Sequence, residues 1–450
     1  MSKPVFTHSQ DQLKQIAQDM LRFAREKGAT DAAVEISEGG GLSISVRKGK
    51  VETIEQNRDK GIGITVYVGQ RRGNASTSDF SSQALRDSVD AAYNIARFTA
   101  EDDCAGLPEA ELLEMAPRDL KLCYPWLISA EEAIELAKRT EAAAVAVDKR
   151  ITNSEGASVH AQQSHFVAAN SRGFMGGYPI SRHTISVAPI AGKGAKMQRD
   201  DWYSSQRNAK KLANPEAIGR YAAERALARL NARKLSTRKC PVLFEAPLAA
   251  GLLGALVQAT SGGALYRKSS FLLDSLGAQI FPEHIQVLED PHTIGAVGSS
   301  PFDDEGVKTQ KRDVVSNGVL QGYFLSCYSA RKLGMQTTGN AGGSHNLSLT
   351  SSLTKRGDNF AGMLKKMGTG LLVTELMGQG VNYVTGDYSR GASGYWVENG
   401  VIQYPVEEIT IAGNMAEMFK QIVAVGSDTL IRGTKQTGSI LIESMTIAGE

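Results

Sequence analysis

Apolar positions recur along this chain with two different spacings, and the switches between them mark out its elements. From Gln10 to Lys27, residues Leu13, Ile16, Ala17, Met20, Leu21 and Ala24 fall at i, i+3, i+4 intervals, and Gly28 ends the run. That spacing predicts an amphipathic helix. The period then drops to two in segments 33–36, 42–46, 51–55 and 62–68, as in half-buried strands, with Lys48-Gly49-Lys50 as a turn. Helical spacing returns over 79–97, 131–147 and 215–230, the last opening on Pro215, a favoured first-turn residue. Between these helices, segments 151–155, 164–170 and 184–190 read as strands.

A polar, basic stretch at 231–239 separates this half from a second of different character. The boundary is placed so that residues 1–235 form an N-terminal α+β domain and 236–450 a C-terminal β-rich domain. The second domain begins with a short buried strand at 241–244 and a strongly apolar helix at 248–259. Helical signals then thin out. Asn317-Gly318 and Asn399-Gly400 each lie between apolar runs, the strongest short-range hairpin signal. Segments 371–376, 394–397, 404–411 and 438–442 complete a mainly antiparallel set, and no 20–50-residue repeat is visible. The expected fold class is α+β, with helices and antiparallel strands first and antiparallel β around an apolar helix second.

Composition adds limits. The chain has 450 residues, 42% hydrophobic and 22% charged, values that exclude a disordered or fibrous protein. Its 46 glycines suit many tight turns. Fifty basic residues nearly balance 48 acidic ones for a net +2. The densest basic clusters, at 47–50 and 308–312, do not make the stripe that direct nucleic-acid binding requires. Four cysteines without a C-x-x-C pair fit a reduced, cytoplasmic setting. Residues 1–11 are polar with no signal-peptide core, and no apolar run is long enough to span a membrane.

No complete catalytic motif is present. None of the seven histidines is followed by Glu, and His160 and His165 are at odd spacing in a strand-like segment, so they point to opposite faces. Gly386-Asp-Tyr-Ser389-Arg-Gly391 is one residue too long for a nucleophile elbow. Cys327 lies in an apolar, strand-like context that suits a buried structural thiol. Gly262-Gly-Ala-Leu-Tyr-Arg267-Lys268-Ser269 has the outline of a phosphate loop, but Arg267 replaces the second Gly and a helix precedes it. Asp303-Asp304-Glu305 reads as a solvated turn.

Several segments are too particular to be generic. They include Tyr266-Arg-Lys-Ser-Ser-Phe-Leu-Leu-Asp-Ser-Leu-Gly277, Ser300-Pro-Phe-Asp-Asp-Glu-Gly306, Ser329-Ala-Arg-Lys-Leu-Gly334 and Thr338-Gly-Asn-Ala-Gly-Gly343. Others are Glu375-Leu-Met-Gly-Gln-Gly380, Gly386-Asp-Tyr-Ser-Arg-Gly-Ala-Ser-Gly394, Tyr395-Trp-Val-Glu-Asn-Gly400 and Ile409-Thr-Ile-Ala-Gly-Asn414. With Gly61-Ile-Gly-Ile-Thr-Val and Asn74-Ala-Ser-Thr-Ser-Asp79 in the first half, the chain closely resembles the TldD/PmbA family over its whole length, on the PmbA (TldE) side.

The resemblance implies a two-subunit cytosolic zinc protease that processes small unfolded peptides, such as peptide-antibiotic leaders and labile antitoxins. The family's older label, modulator of DNA gyrase, reflects links through gyrase-directed toxins. In the TldD-like partner, a C-terminal-domain helix carries His-Glu-x-x-x-His and a late Cys completes the zinc site. Here the corresponding helix reads Gly251-Leu-Leu-Gly-Ala-Leu-Val-Gln-Ala-Thr260, and no Cys follows Cys327. This chain is therefore expected to hold no cofactor, with zinc in the partner, in a heterodimer or larger hetero-oligomer; a homodimer is also open. An extended peptide would be held partly by main-chain pairing at a sheet edge. Residues 266–277 and 378–396 are the expected chamber lining, with Tyr266, Arg267, Lys268, Ser269, Asp387, Arg390 and Trp396 as substrate-binding candidates. His345 joins them, since His345, Asp387 and Arg390 could form an independent hydrolytic site. The competing reading is a regulatory or binding protein of a gyrase-toxin or toxin–antitoxin system with no proteolysis of its own.

Overall fold

A computed structural model describes residues 6–449. The chain divides into two compact units. The first comprises Met1–Leu227 with Ile294–Thr309, and the second Ala228–Thr293 with Gln310–Glu450. Both are α+β with mostly antiparallel sheets.

In the first unit a long antiparallel sheet runs in the order Arg71–Thr77, Lys50–Val68, Asp31–Arg47, Ile151–Asn170 and Pro179–Ala191, with short strands attached at Met175–Gly176, Gln198–Arg199 and Trp202–Gln206. The four strand segments read at the start of the sequence prove to be two continuous strands, because Gly39, Gly40 and Gly41 stay in register opposite Asp59, Arg58 and Asn57. The helices Gln10–Lys27 and Ser82–Phe98 bury Leu13, Met20, Val89 and Ala92 against Ile36, Ile64 and Val66 of the sheet. Ser9 opens the first helix with a capping box, and Gly28, at φ 96°, closes it in the left-handed conformation that glycine adopts without penalty. The segment Ile294–Thr309 is pinned to this unit by Arg207, whose guanidinium donates to the carbonyls of Ala296 (3.0 Å) and Val297 (2.7 Å). Asp303 in that segment is buried and accepts the amides of Glu305 and Val307, so it serves as an internal turn ligand and not as part of a solvated turn.

The second unit holds two six-stranded sheets. One runs Val319–Leu320, Arg312–Ser316, Ile285–Glu289, Leu347–Ser351, Lys435–Thr437 and Leu430–Arg432. The other runs Val401–Asn414, Asp387–Glu398, Gly370–Met377, Arg238–Phe244, Ile440–Ala448 and Ile422–Val425. In the second sheet, Thr410–Ala412 also pair with residues 446–448, which closes the first five strands into a ring and leaves Ile422–Val425 outside it. Both Asn-Gly hairpins form, with φ of 48° and 75° at Asn317 and Gly318 and 52° and 75° at Asn399 and Gly400. Positive φ at both central residues is the turn whose twist matches paired strands. The apolar helix Ala246–Ala259 sits in the main core with Leu253 and Leu256 almost wholly buried. Cys327 is buried as expected, but in the first turn of the helix Cys327–Lys332 and not in a strand. Ser326 caps that helix and redirects the apolar run 323–325. Among the described residues, no helix is long and apolar enough to cross a membrane.

Candidate functional site

The expected site residues lie at the end of the short helix Gly262–Tyr266 and the turn after it, at His345, and along the strand Asp387–Glu398. Tyr266 ends the short helix Gly262–Tyr266, where its ring meets Tyr328 edge-on at 5.8 Å and its hydroxyl accepts from Arg267 Nη1 at 2.9 Å. Lys268 adopts a positive φ of 55°, and the Ser269 amide and hydroxyl both donate to the Ala264 carbonyl. The backbone here is occupied in turning the chain.

His345 belongs to a buried cluster. Its amide donates to Glu289 Oε1 at 2.8 Å, and its Nδ1 lies 3.1 Å from the same oxygen. Asn340 Nδ2 (2.9 Å) and Arg312 Nε (2.8 Å) complete the shell around Glu289, which is 1% exposed. Burial alone would raise the Glu289 pKa, but the His345 hydrogen bond and the Arg312 charge outweigh it and hold the carboxyl below its usual range. Sequence reasoning found His345 but not Glu289, and none of His345's hydrogen bonds goes to Asp387 or Arg390. Asp387 is exposed at the start of its strand, held by Thr385 Oγ1 at 2.6 Å. Trp396 is 5% exposed and donates its indole N–H to Glu398 at 2.9 Å, with Arg238 over its ring.

A second buried carboxylate that the sequence did not disclose is Glu38 in the first unit. It accepts the amides of Thr7 (3.1 Å) and His8 (3.0 Å) and touches His8 Nδ1 and His165 Nε2. Phe6 stacks on His165 with ring centroids 4.0 Å apart. These contacts anchor the N-terminal segment to the central strands.

Arg390 stands apart from the other candidates, because it lines a cavity of about 150 Å³ inside the second unit. One wall is a face of the apolar helix: Leu248, Gly251, Leu252 and Ala255, at i, i+3, i+4, i+7 spacing. The opposite wall is Val381 and Tyr383 from the loop and Tyr388 and Arg390 from the strand Asp387–Glu398. Tyr388 is 4% exposed, yet its hydroxyl has no hydrogen-bond partner, and neither has Arg390 Nε. Burial pushes the Tyr388 phenol up to about 12, against the lowering effect of the Arg390 charge and of the Arg390 side chain's polar contact with it. The guanidinium therefore lies beside the phenol without completing a hydrogen bond of normal geometry. No lining side chain is His, Cys, Asp or Glu.

A larger space in the first unit, about 520 Å³, is an open groove lined by strand residues such as Glu35, Thr65 and Asn74. It is edged by Glu35, which burial and the nearby Asp304 push upward. Burial raises the Cys123 thiol and pushes Cys240 up to about 11, the reverse of what a thiolate nucleophile needs.

Comparison with known proteins agrees across the whole chain. Three family models match: PmbA/TldA metallopeptidase domain 1 over residues 32–96, the central domain over 123–230 and the C-terminal domain over 237–449. The chain is 49% identical to Metalloprotease PmbA of Escherichia coli O157:H7, covering 97% of each. It is 46% identical to a Metalloprotease PmbA homolog of Haemophilus influenzae, over 98% of this chain and 97% of that one. Among solved structures, a candidate modulator of DNA gyrase from Bacteroides thetaiotaomicron superposes with a TM-score of 0.91 at 28% identity, covering 97% of this chain and 99% of that chain. TldE from Thermococcus kodakarensis shares the fold, with a TM-score of 0.83 at 21% identity over 96% and 100% of the two chains.

Proposed function

Since the chain belongs to the PmbA/TldA metallopeptidase family, we propose that it is the non-metal subunit of a cytoplasmic zinc peptidase, holding unfolded peptide while a TldD-like partner supplies the zinc. The observation that carries this reading is the composition of the cavity beside the apolar helix. Zinc needs three or four imidazole, thiolate or carboxylate donors. The helix face where the resemblance places such donors instead presents Leu248, Gly251, Leu252 and Ala255, and the facing wall presents a guanidinium. A fixed positive charge in a poorly solvated pocket repels a dication. The residues present do not fit a zinc ion.

Two features suit peptide capture. The strand Lys50–Val68 is paired on both sides over Ile62–Val68, but residues 50–60 pair only with Asp31–Arg47 among the described residues, which leaves one edge open for an added strand. Charged side chains along that edge, among them Glu52, Glu55, Arg58 and Lys60, discourage indiscriminate pairing. The peptides in question are small and unfolded, of the leader or antitoxin kind.

The metal content of the isolated chain tests this reading. After incubation with excess zinc and gel filtration, the purified protein should carry far less than one zinc per chain by elemental analysis. A stoichiometric, chelator-removable zinc would overturn it.

A further inference from the structure

We infer that the cavity between the apolar helix Ala246–Ala259 and the strand Asp387–Glu398 is a binding pocket for an apolar residue bearing a free carboxylate, the C-terminal residue of a peptide. Two polar groups on neighbouring same-face positions of one strand, Tyr388 Oη and Arg390 Nε, are buried there without a partner. Buried polar groups in native proteins are nearly always satisfied, so each such exception needs an explanation. No ion pair to Arg390 occurs among the described residues, so its charge is not neutralised from within the chain. A carboxylate answers both needs at once. It is an acceptor only, it takes the planar fork of an arginine, and it can accept from a phenol as well. The Tyr388 phenol, pushed up to about 12, remains a donor throughout the neutral range.

The rest of the lining selects what the carboxylate is attached to. Leu248, Leu252, Ala255, Val381 and Met415 are apolar, and a void of about 150 Å³ accommodates a branched aliphatic side chain. A phosphate would leave most of its oxygens facing hydrocarbon, and a cation would meet Arg390. Entry is open at Gly251, which is exposed at the rim and where an added Cβ would meet nothing within 4 Å. The peptide end as the source of this group rests on the peptide-handling role proposed above; the recognition of an apolar carboxylate does not.

Calorimetric titration of the full chain alone, without partner or zinc, tests the inference. N-acetyl-L-leucine should bind, and N-acetyl-L-leucinamide, which lacks the charge, should bind at least about tenfold more weakly. Arg390→Met should weaken the acid by about tenfold or more and leave the amide unchanged. Arg390→Lys, which retains charge but not the fork, should fall between. Gly251→Leu should block both ligands, whereas Gly254→Ala, whose Cβ meets only the Lys435 side chain at 3.8 Å, should not. Thermal midpoints of each variant identify any that fail to fold. Equal binding of acid and amide, or no binding of the acid by wild type, would overturn the pocket. Binding of 4-methylpentanoate as tight as that of N-acetyl-L-leucine would overturn the peptide end as its ligand. Because neither partner nor zinc takes part, failure here is distinguishable from failure of partner-dependent cleavage.

Discussion

Glu289→Ala is expected to destabilise the second unit by about 3–5 kcal/mol, the usual cost of breaking a buried ion pair from one side. The carboxylate is the acceptor for Arg312 Nε, Asn340 Nδ2 and the His345 amide, at 2.8, 2.9 and 2.8 Å. Removing it takes the counter-charge from a guanidinium that is 17% exposed at its side chain and the Glu289 acceptor from two further donors, the Asn340 amide group and the His345 N–H. It does so where three strands meet, since Glu289 pairs with Arg312 on one side and Leu347 on the other. Urea titration monitored by circular dichroism should show the transition of this unit at a clearly lower midpoint. Glu289→Gln keeps the shape without the charge and should lose less. A change under about 1 kcal/mol would mean that the cluster is no more than a surface-like pair.

The same carboxylate sets an acid dependence. The folded pKa of Glu289 lies below the ordinary 4.5, so its contribution is complete above that value. As pH falls through the depressed folded pKa, the contribution is lost. Wild type should therefore weaken on acidification below about 4.5, and Glu289→Ala should weaken less over the same interval.

Gly380→Ala is the second large expected effect. A Cβ at this position would stand 1.5 Å from the Ser389 carbonyl oxygen and 2.6 Å from its carbon. The backbone cannot simply draw aside. The Ser389 amide donates to the Gly380 carbonyl at 2.7 Å, the Asn382 amide donates to Asp387 at 2.8 Å, and Val381 bridges to Tyr388. Overpacking against fixed backbone costs about 1–3 kcal/mol or more. The displaced loop also carries Val381 and Tyr383, so N-acetyl-L-leucine binding should be lost along with stability. Gly391→Ala is the control, because its Cβ would make only an ordinary 3.4 Å contact with Met377. Unchanged stability and binding in Gly380→Ala would show that this loop does not shape the cavity.

Much of the fold was legible where the signal is local. The first helix, the apolar helix and both Asn-Gly hairpins were readable because periodicity, caps and turn residues act within a few positions of one another. The triple glycine 39–41 misled, since Gly usually interrupts a strand, whereas here it continues a register held by neighbours on both sides. Helices such as Phe360–Met367, with eight residues, are too short to declare a period. Returning Ile294–Thr309 to the first unit depends on Arg207, nearly ninety positions earlier, and no local pattern announces that.

The site was less legible for the same reason. Glu289 lies 23, 51 and 56 positions from Arg312, Asn340 and His345, and its chemistry exists only after the sheet has formed. Arg390 could be named from its motif. That its Nε would be buried unpartnered against a helix face starting 142 positions earlier, at Leu248, is a property of packing alone.

Division of labour between a zinc-bearing subunit and this one can be seen by mixing the two. The purified chain is combined with a TldD-like subunit and an unfolded peptide, and cleavage is followed with and without a chelator. Rapid, chelator-sensitive cleavage is expected of the mixture and none of this chain alone. Chelator-sensitive cleavage by this chain alone, or cleavage by the partner that this chain does not increase, would contradict it.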